Sequence, residues 1–279
     1  VYPLDLLFKK SKLPHVDENE DPVAEVMIDV CLKALKDSGV SPKDADYFIA
    51  AYDSSGFLCP GLSNYLLCEL GLESDVKHVS VQGMACSAFV RAIQLAEDHL
   101  ACYPDGNVLI CLSGVNSFWF FNQVRGLRDV KGMEEIKAIK DESVRLKEIR
   151  KWVAVIEFFL FGDGAACIIA SNGGRGPEIV RTTSITNIRK ADFFAGFSRL
   201  KPSLEPFLFE FESGLSKDIP DMGLEYTSAV LKKLFEQESR AEEAKKWIMH
   251  TGSRRILDAI SKSYGLGFEK MRESYEVLE

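Results

Sequence analysis

The sequence predicts an α/β protein. Short apolar segments that are typical of buried strands alternate along the chain with longer amphipathic segments that are typical of helices. The composition is that of an ordinary globular protein, with 46% hydrophobic and 27% charged residues. A chain of 279 residues is also long enough to bury a substantial core without disulfides or metals.

The first half of the chain contains three predicted strands, each preceded by a helix or leading into one. The helix over 22–38 has apolar residues at helical spacing and ends at Gly39, and DYFIAAY reads as a buried strand that turn-forming residues follow. The same reasoning assigns helices to 61–70 and 87–100, and strands to 46–52, 76–81 and 107–113.

The second half is predicted with the same signals but contains a charged insertion. Residues 131–151 are mostly charged and predict a helix exposed to solvent. Apolar runs predict strands at 165–170 and 179–188 and a strand end at 247–250, and helical spacing predicts helices over 222–238 and 254–264, with a further helix after Gly267.

Charge and cysteine content exclude several classes of protein. A net charge of −8 argues against a general nucleic-acid binder, which needs clustered Lys and Arg. No apolar run approaches the roughly 18 to 20 residues that span a bilayer. Seven cysteines without a C-x-x-C pair, and only four histidines, favour reduced thiols in a cytoplasmic protein over a disulfide framework or a metal site.

Cys86 is the candidate nucleophile. It follows the predicted strand 76–81 and opens the next helix, where unpaired backbone N–H groups and the helix dipole favour a thiolate. We therefore expect its pKa to be lowered.

His250 is the candidate partner in catalysis. It ends the apolar run KKWIMH, and the strand ends of α/β sheets are where ligands usually bind. An imidazole can activate a thiol or stabilise developing negative charge. Asp163, in the turn FGDGA, is expected to accept backbone N–H bonds rather than to take part in catalysis.

Several motifs occur together in the order found in one superfamily. They are SSGFLCPGLSNYLLCELGL followed by VKHVSVQGMACSAF, then FGDGAACIIAS, PFLFEFESGLSKDI and HTGSRRILDAI. In this order they resemble the thiolase-superfamily condensing enzymes, most closely the chalcone synthase-like (type III polyketide synthase) and 3-ketoacyl-CoA synthase branch. The resemblance covers residues 22–120 and 154–265.

The resemblance implies a duplicated, five-layered α-β-α-β-α fold. Its N-terminal half would be residues 1–172, with Cys86, and its C-terminal half residues 173–279, with His250. The family's catalytic asparagine belongs to a G-N-x-[ST]-S motif that this sequence lacks, so the second half is expected to be incomplete at the C-terminus. We expect the polypeptide to continue beyond Glu279, or another chain to supply that part.

The resemblance also implies an activity. Cys86 would carry the acyl group of an acyl-CoA, and His250 would stabilise the enolate of a malonyl-type extender, so that a Claisen condensation forms a C–C bond. Phe161 and Phe207 would line the substrate tunnel, and Lys9, Lys10 and Lys12 form the best candidate cluster for the CoA phosphates. No cofactor beyond the CoA thioesters and no metal is implied, and the partner expected is a second copy in a homodimer.

Two alternatives remain open at the sequence level. One is a thiolase-fold acyltransferase or thioesterase that uses Cys86 and His250 without condensation. The other is a catalytically silent thiolase-fold subunit that binds a partner, which the missing asparagine motif leaves possible.

Overall fold

The protein is described here from a computed structural model. The structure describes residues 21–278 except 54, 56, 58, 118, 119, 121–123, 125, 126, 128, 175, 190–194, 203–208 and 236–242. The helices in these residues are α1 (Pro22–Ser38), α2 (Leu62–Leu70), α3 (Ala88–Cys102), α4 (Met133–Ala138), α5 (Glu142–Leu160), α6 (Ile219–Leu234), α7 (Arg254–Ser263) and α8 (Phe268–Glu276). The strands are β1 (Tyr47–Tyr52), β2 (Lys77–Val81), β3 (Asn107–Val115), β4 (Asp163–Ser171), β5 (Gly196–Pro202) and β6 (Phe209–Leu215).

The chain divides into two compact units. The first contains residues 1–129 and 157–178, and the second contains residues 130–156 and 179–279. None of the helices in the described residues is long and apolar enough to cross a membrane.

A four-stranded mixed sheet forms the centre of the first unit. Its strand order is β2-β1-β3-β4, with β1 parallel to both β2 and β3, and β4 antiparallel to β3. β3 therefore has a partner strand on each side. The carboxyl ends of β1 and β3 and the start of β4 meet at one edge of this sheet.

Helices cover both faces of the sheet. Successive side chains of each strand point to opposite faces, and both sets are buried. Phe48 and Tyr52 of β1 pack with α1 in one core cluster. Ile49 of β1 and Ile110 of β3 pack with the alanine face of α3 in another. This three-layer arrangement confirms the predicted α/β class for the first unit.

Helix α1 shows how the sequence sets these boundaries. Asp21 caps its first turn by accepting a hydrogen bond from the Val23 N–H at 2.9 Å, and Pro22 occupies the first helical position, where it lacks no needed donor. Gly39 ends the helix with φ 75°, a left-handed conformation that glycine adopts without strain.

The second unit combines a strand pair with helices. β5 and β6 pair antiparallel, and a separate core forms around α7 and α8 with Trp247, Leu257 and Met271. Helix α8 confirms the helix predicted after Gly267.

Two predicted strands of the second half are wrong. Residues 179–188 form no strand, and Val180 and Ile188 are 85% and 91% exposed. Residues 246–250 also form no strand, because the Trp247 N–H donates to the Lys270 carbonyl at 2.7 Å and the Met249 N–H to Ser274 Oγ at 2.8 Å. These bonds tie the segment to helix α8 instead of to a sheet.

Candidate active site

Cys86 lies on a strained turn between β2 and α3. Gly83 and Ala85 have φ values of 69° and 43°, and Cys86 follows in a single 3-10 turn, Ala85–Ser87. A left-handed conformation costs a residue with a Cβ about 1–2 kcal/mol. The Ser87 side chain closes the turn by donating to the Met84 carbonyl at 2.6 Å. The turn thereby leaves the Cys86 thiol exposed at the start of α3.

A cavity of about 360 Å³ lies beside Cys86 within the first unit. Its volume is within the range of small-molecule sites, roughly 300–1,000 Å³. It lies at the edge where the carboxyl ends of β1 and β3 meet the start of β4, and α/β sheets usually bind ligands at such strand ends. Its walls are Ala51, Tyr52, Asp53, Ala85, Cys86, Ala88, Phe89, Leu112, Ser113, Gly114, Gly164, Ala165 and Ala166.

Most of this wall has little side-chain volume. Glycine and alanine supply seven of its thirteen residues. A Cβ built at Gly164 would meet no atom within 4 Å, whereas at Gly114 it would lie 3.3 Å from the Asn116 amide nitrogen. The cavity therefore exists because most residues at the strand ends are glycine or alanine and fill little space.

Surrounding protein and charge disfavour the Cys86 thiolate. Partial removal from water raises the pKa of the Cys86 thiol, and the nearby Asp53 carboxylate raises it further, while the backbone N–H of Cys86 acts in the opposite direction. The net direction is upward, so the lowered pKa expected from the helix start is wrong. Desolvation and the Asp53 carboxylate together raise the pKa of Cys86 by more than its backbone N–H lowers it.

Asp53 is a site residue that the sequence reasoning missed. Its carboxylate accepts a hydrogen bond from the Ala85 N–H, which lowers its pKa, but desolvation has the larger effect and raises the pKa overall. The bond links the end of β1 to the strained turn that carries Cys86. The available signal was its position directly after the predicted strand 46–52.

Ser113 is a residue of the cavity wall whose hydroxyl is buried and unsatisfied. The residue is 9% exposed, and its Oγ has no hydrogen-bond partner in the described part of the chain. Buried polar groups are nearly always bonded, so this hydroxyl is an exception that should cost stability.

The start of β4 is fixed to the end of β3 by side-chain bonds. The Asp163 carboxylate accepts a hydrogen bond from the Ser117 N–H at 2.8 Å and another from the Ser117 hydroxyl, and the Asn116 amide donates to the Gly162 carbonyl at 3.0 Å. The prediction that Asp163 accepts a backbone N–H bond is confirmed. Phe161, which directly precedes Gly162, is half-buried and stacks on Phe120 with 5.4 Å between ring centroids.

His250 lies in the second unit, just before α7. Ser253 caps that helix by accepting a hydrogen bond from the Ile256 N–H, and the imidazole packs against Gly252, where a Cβ would lie 3.1 Å from His250 Nε2. Partial burial lowers the pKa of His250, so its imidazole is neutral near pH 7. A neutral imidazole can donate one N–H to an oxyanion.

Of the predicted site residues, Cys86 is the one that lines the cavity in the described part of the chain. Cys86 shares its cavity with Asp53 and Ser113, whereas His250 belongs to the other unit. The predicted tunnel residue Phe207 and the predicted phosphate-binding residues Lys9, Lys10 and Lys12 lie outside the described residues. The assignment of roles to Cys86, His250 and Phe161 stays a prediction.

Comparison with known proteins gives consistent matches. A family model described as FAE1/Type III polyketide synthase-like protein matches residues 2–126. The chain is 21% identical over 267 residues to 3,5-dihydroxyphenylacetyl-CoA synthase of Streptomyces toyocaensis, covering 94% of this chain and 61% of the relative. It is 26% identical over 234 residues to 1,3,6,8-tetrahydroxynaphthalene synthase of Streptomyces coelicolor, covering 83% and 53% respectively.

Solved structures share the fold. The S. coelicolor tetrahydroxynaphthalene synthase has a TM-score of 0.66 at 23% identity, with 88% of this chain and 61% of that chain covered. The type III polyketide synthase domain of Steely1 from Dictyostelium has a TM-score of 0.67 at 23% identity, with 92% and 64% covered.

These matches show the fold. The chain spans about three fifths of the length of the first relatives it matches. The predicted thiolase-like α/β fold is confirmed by its likeness to the solved synthases. The chain is therefore similar to FAE1 and type III polyketide synthase-like proteins over residues 2–126, and it shares the fold of the solved type III polyketide synthases.

Proposed function

We propose that this chain is an acyltransferase that forms C–C bonds by Claisen condensation of CoA thioesters. The observation that carries the proposal is the exposed thiol of Cys86, held on a strained turn beside a cavity at the strand ends. Thiol, cavity and turn supply a nucleophile and a space for the acyl group that it would carry.

The first step would load the acyl group. The Cys86 thiolate attacks the carbonyl carbon of an acyl-CoA, and the C–S bond to CoA breaks, so that CoA leaves as its thiolate.

The second step would form the new bond. A malonyl-CoA extender loses CO₂, the electron pair of the broken C–C bond becomes an enolate, and neutral His250 donates its N–H to the enolate oxygen. The enolate carbon then attacks the acyl carbon on Cys86, and the Cys86 thiolate leaves. The product is a 3-oxoacyl-CoA, and the enzyme thiol is regenerated.

The proposal also includes roles for the remaining predicted site residues, a location and an assembly. Phe161 and Phe207 would line the path of the substrate, and Lys9, Lys10 and Lys12 would bind the CoA phosphates. The proposed location is the cytoplasm. The proposed assembly is a homodimer, which light scattering would support with twice the monomer mass and contradict with a concentration-independent monomer.

Intact-mass spectrometry tests the loading step. Incubation with an acyl-CoA should add one acyl mass, located on the Cys86 peptide, and Cys86→Ala should abolish it while the matched variant Cys102→Ala, which removes another exposed thiol, should not. A wild-type chain that stays unacylated would contradict the nucleophile assignment and favour a silent binding subunit.

Product analysis with labelled malonyl-CoA tests the condensation. A labelled 3-oxoacyl product is expected, whereas release of the free acid alone would indicate a thioesterase. The substitution His250→Ala should lower condensation by about 100-fold or more while leaving acylation of Cys86 partly intact. Equal condensation by the variant and the wild type would remove His250 from the mechanism.

A further inference from the structure

Three cysteines that are far apart in the sequence meet in the first unit. Cys31 comes from α1, Cys111 from β3 and Cys167 from β4, and their Sγ atoms all lie within 4.8 Å of one another. Cys111 and Cys167 are direct partners in the antiparallel ladder, and Cys31 reaches them from the helix above. All three are free thiols.

The spacing of the sulfurs suits a single ion. Three thiolates bound at about 2.3 Å around one centre lie about 4.0 Å apart. The widest triangle that the structure allows, with sides of 4.8 Å, has its centre about 2.8 Å from each sulfur. Each sulfur would then move by about half an ångström at most to reach a bond length of about 2.3 Å.

The surroundings limit which ion fits. Cys31 and Cys111 are fully buried among apolar side chains, and Cys167 is half-buried and provides access. Within the described ranges, no fourth His, Cys, Asp or Glu joins the group, and a structural Zn²⁺ site needs four ligands. Thiolate sulfur selects soft ions, of which Cu(I) is one.

We propose that Cys31, Cys111 and Cys167 form a three-sulfur site for a soft monovalent cation of the Cu(I) class. Each thiol that binds the ion releases its proton to solvent, and no electron is transferred. The bound ion would join α1 to β3 and β4. Cys167 directly follows Gly164, Ala165 and Ala166 of the cavity wall, so the site would also stiffen the strand beside Cys86.

Anaerobic titration with Cu(I) against a chromophoric Cu(I) chelator tests the proposal on the intact chain. We expect one ion per chain at high affinity. The substitution Cys167→Ala should weaken binding by about 100-fold or more, since even outer-shell changes at metal sites cost 10–100-fold. The matched variant Cys68→Ala, which removes an exposed thiol outside the cluster, should bind like the wild type. Unchanged binding by Cys167→Ala would overturn the proposal.

X-ray absorption at the copper edge provides a readout that needs no variant. Three sulfur neighbours around a single copper are expected in the wild-type complex. Two or fewer sulfurs, nitrogen or oxygen neighbours, or no binding would each overturn the proposal. Neither experiment depends on acyl-transfer activity, so their outcome is separate from that of the proposed function.

Discussion

The unsatisfied hydroxyl of Ser113 yields a prediction about stability. The substitution Ser113→Ala removes a hydroxyl that lies in a residue only 9% exposed and has no partner in the described residues. A buried polar group without a hydrogen bond costs about 1–3 kcal/mol. The alanine methyl group avoids this cost, so we expect the free energy of unfolding to rise by about 1–2 kcal/mol.

A second serine of the same sheet provides the matched control. Ser80 Oγ accepts a hydrogen bond from the Tyr52 hydroxyl at 3.0 Å and donates to Ser63 Oγ at 2.8 Å. Ser80→Ala therefore leaves buried groups without their partner and should lower the free energy of unfolding by about 1–3 kcal/mol. The two serines differ in bonding rather than in chemistry, so opposite signs isolate the effect of the unmade bond.

Urea unfolding, followed by circular dichroism, measures both variants. The midpoint should rise for Ser113→Ala and fall for Ser80→Ala, at an unchanged slope. If Ser113→Ala destabilises the chain as much as Ser80→Ala does, the hydroxyl is bonded and the reasoning is refuted.

Further predictions concern the two candidate catalytic side chains. In Asp53→Asn, loss of the carboxylate charge lowers the pKa of the Cys86 thiol, so the pH profile of its alkylation by iodoacetamide should move to lower pH. The control is Asp75→Asn, which removes an exposed carboxylate. An unchanged profile in Asp53→Asn, or an equal shift in the control, would contradict this. In Gly252→Ala, the new Cβ crowds His250 Nε2, so condensation should fall by about tenfold, less than the ~100-fold of a 1 Å misplacement. Gly267→Ala, where a Cβ meets no atom within 4 Å, is the control, and an equal loss there would refute the contact. Neutral His250 is the proposed donor to the enolate, so condensation by enzyme already acylated on Cys86 should persist as pH falls through 6.5 and fall only near the lowered pKa of His250. A loss centred above 6.5 in this acylated enzyme would contradict that role.

The strands of the first unit were predicted better than those of the second, because in the first unit each strand is identified by its own residues. β1 and β3 are continuous apolar runs bounded by turn residues, and such runs leave little choice except a buried strand. Residues 179–188 carry a similar pattern, yet their apolar side chains remain exposed in the described structure. Hydrophobic pattern alone does not say whether a neighbouring strand is available to pair.

For the candidate site, the sequence predicted single residues from their positions but not the contacts between residues. Cys86 follows from its place between a strand and a helix, but its raised pKa depends on Asp53, a neighbour that the chain brings near by folding. The grouping of Cys31, Cys111 and Cys167 likewise depends on the pairing of β3 with β4 and on the packing of α1. No sequence spacing records such contacts.

The small residues of the cavity wall have a consequence for substrate choice. At Gly164, the wall ends in open space, so a side chain introduced there would occupy room that an acyl group otherwise fills. The series Gly164→Ala, Gly164→Val and Gly164→Leu would shrink the 360 Å³ cavity in steps without first displacing a neighbour of the new Cβ. If the chain is the proposed acyltransferase, the longest acyl chain accepted should shorten along this series, so that chain-length selectivity is separable from the chemistry at Cys86.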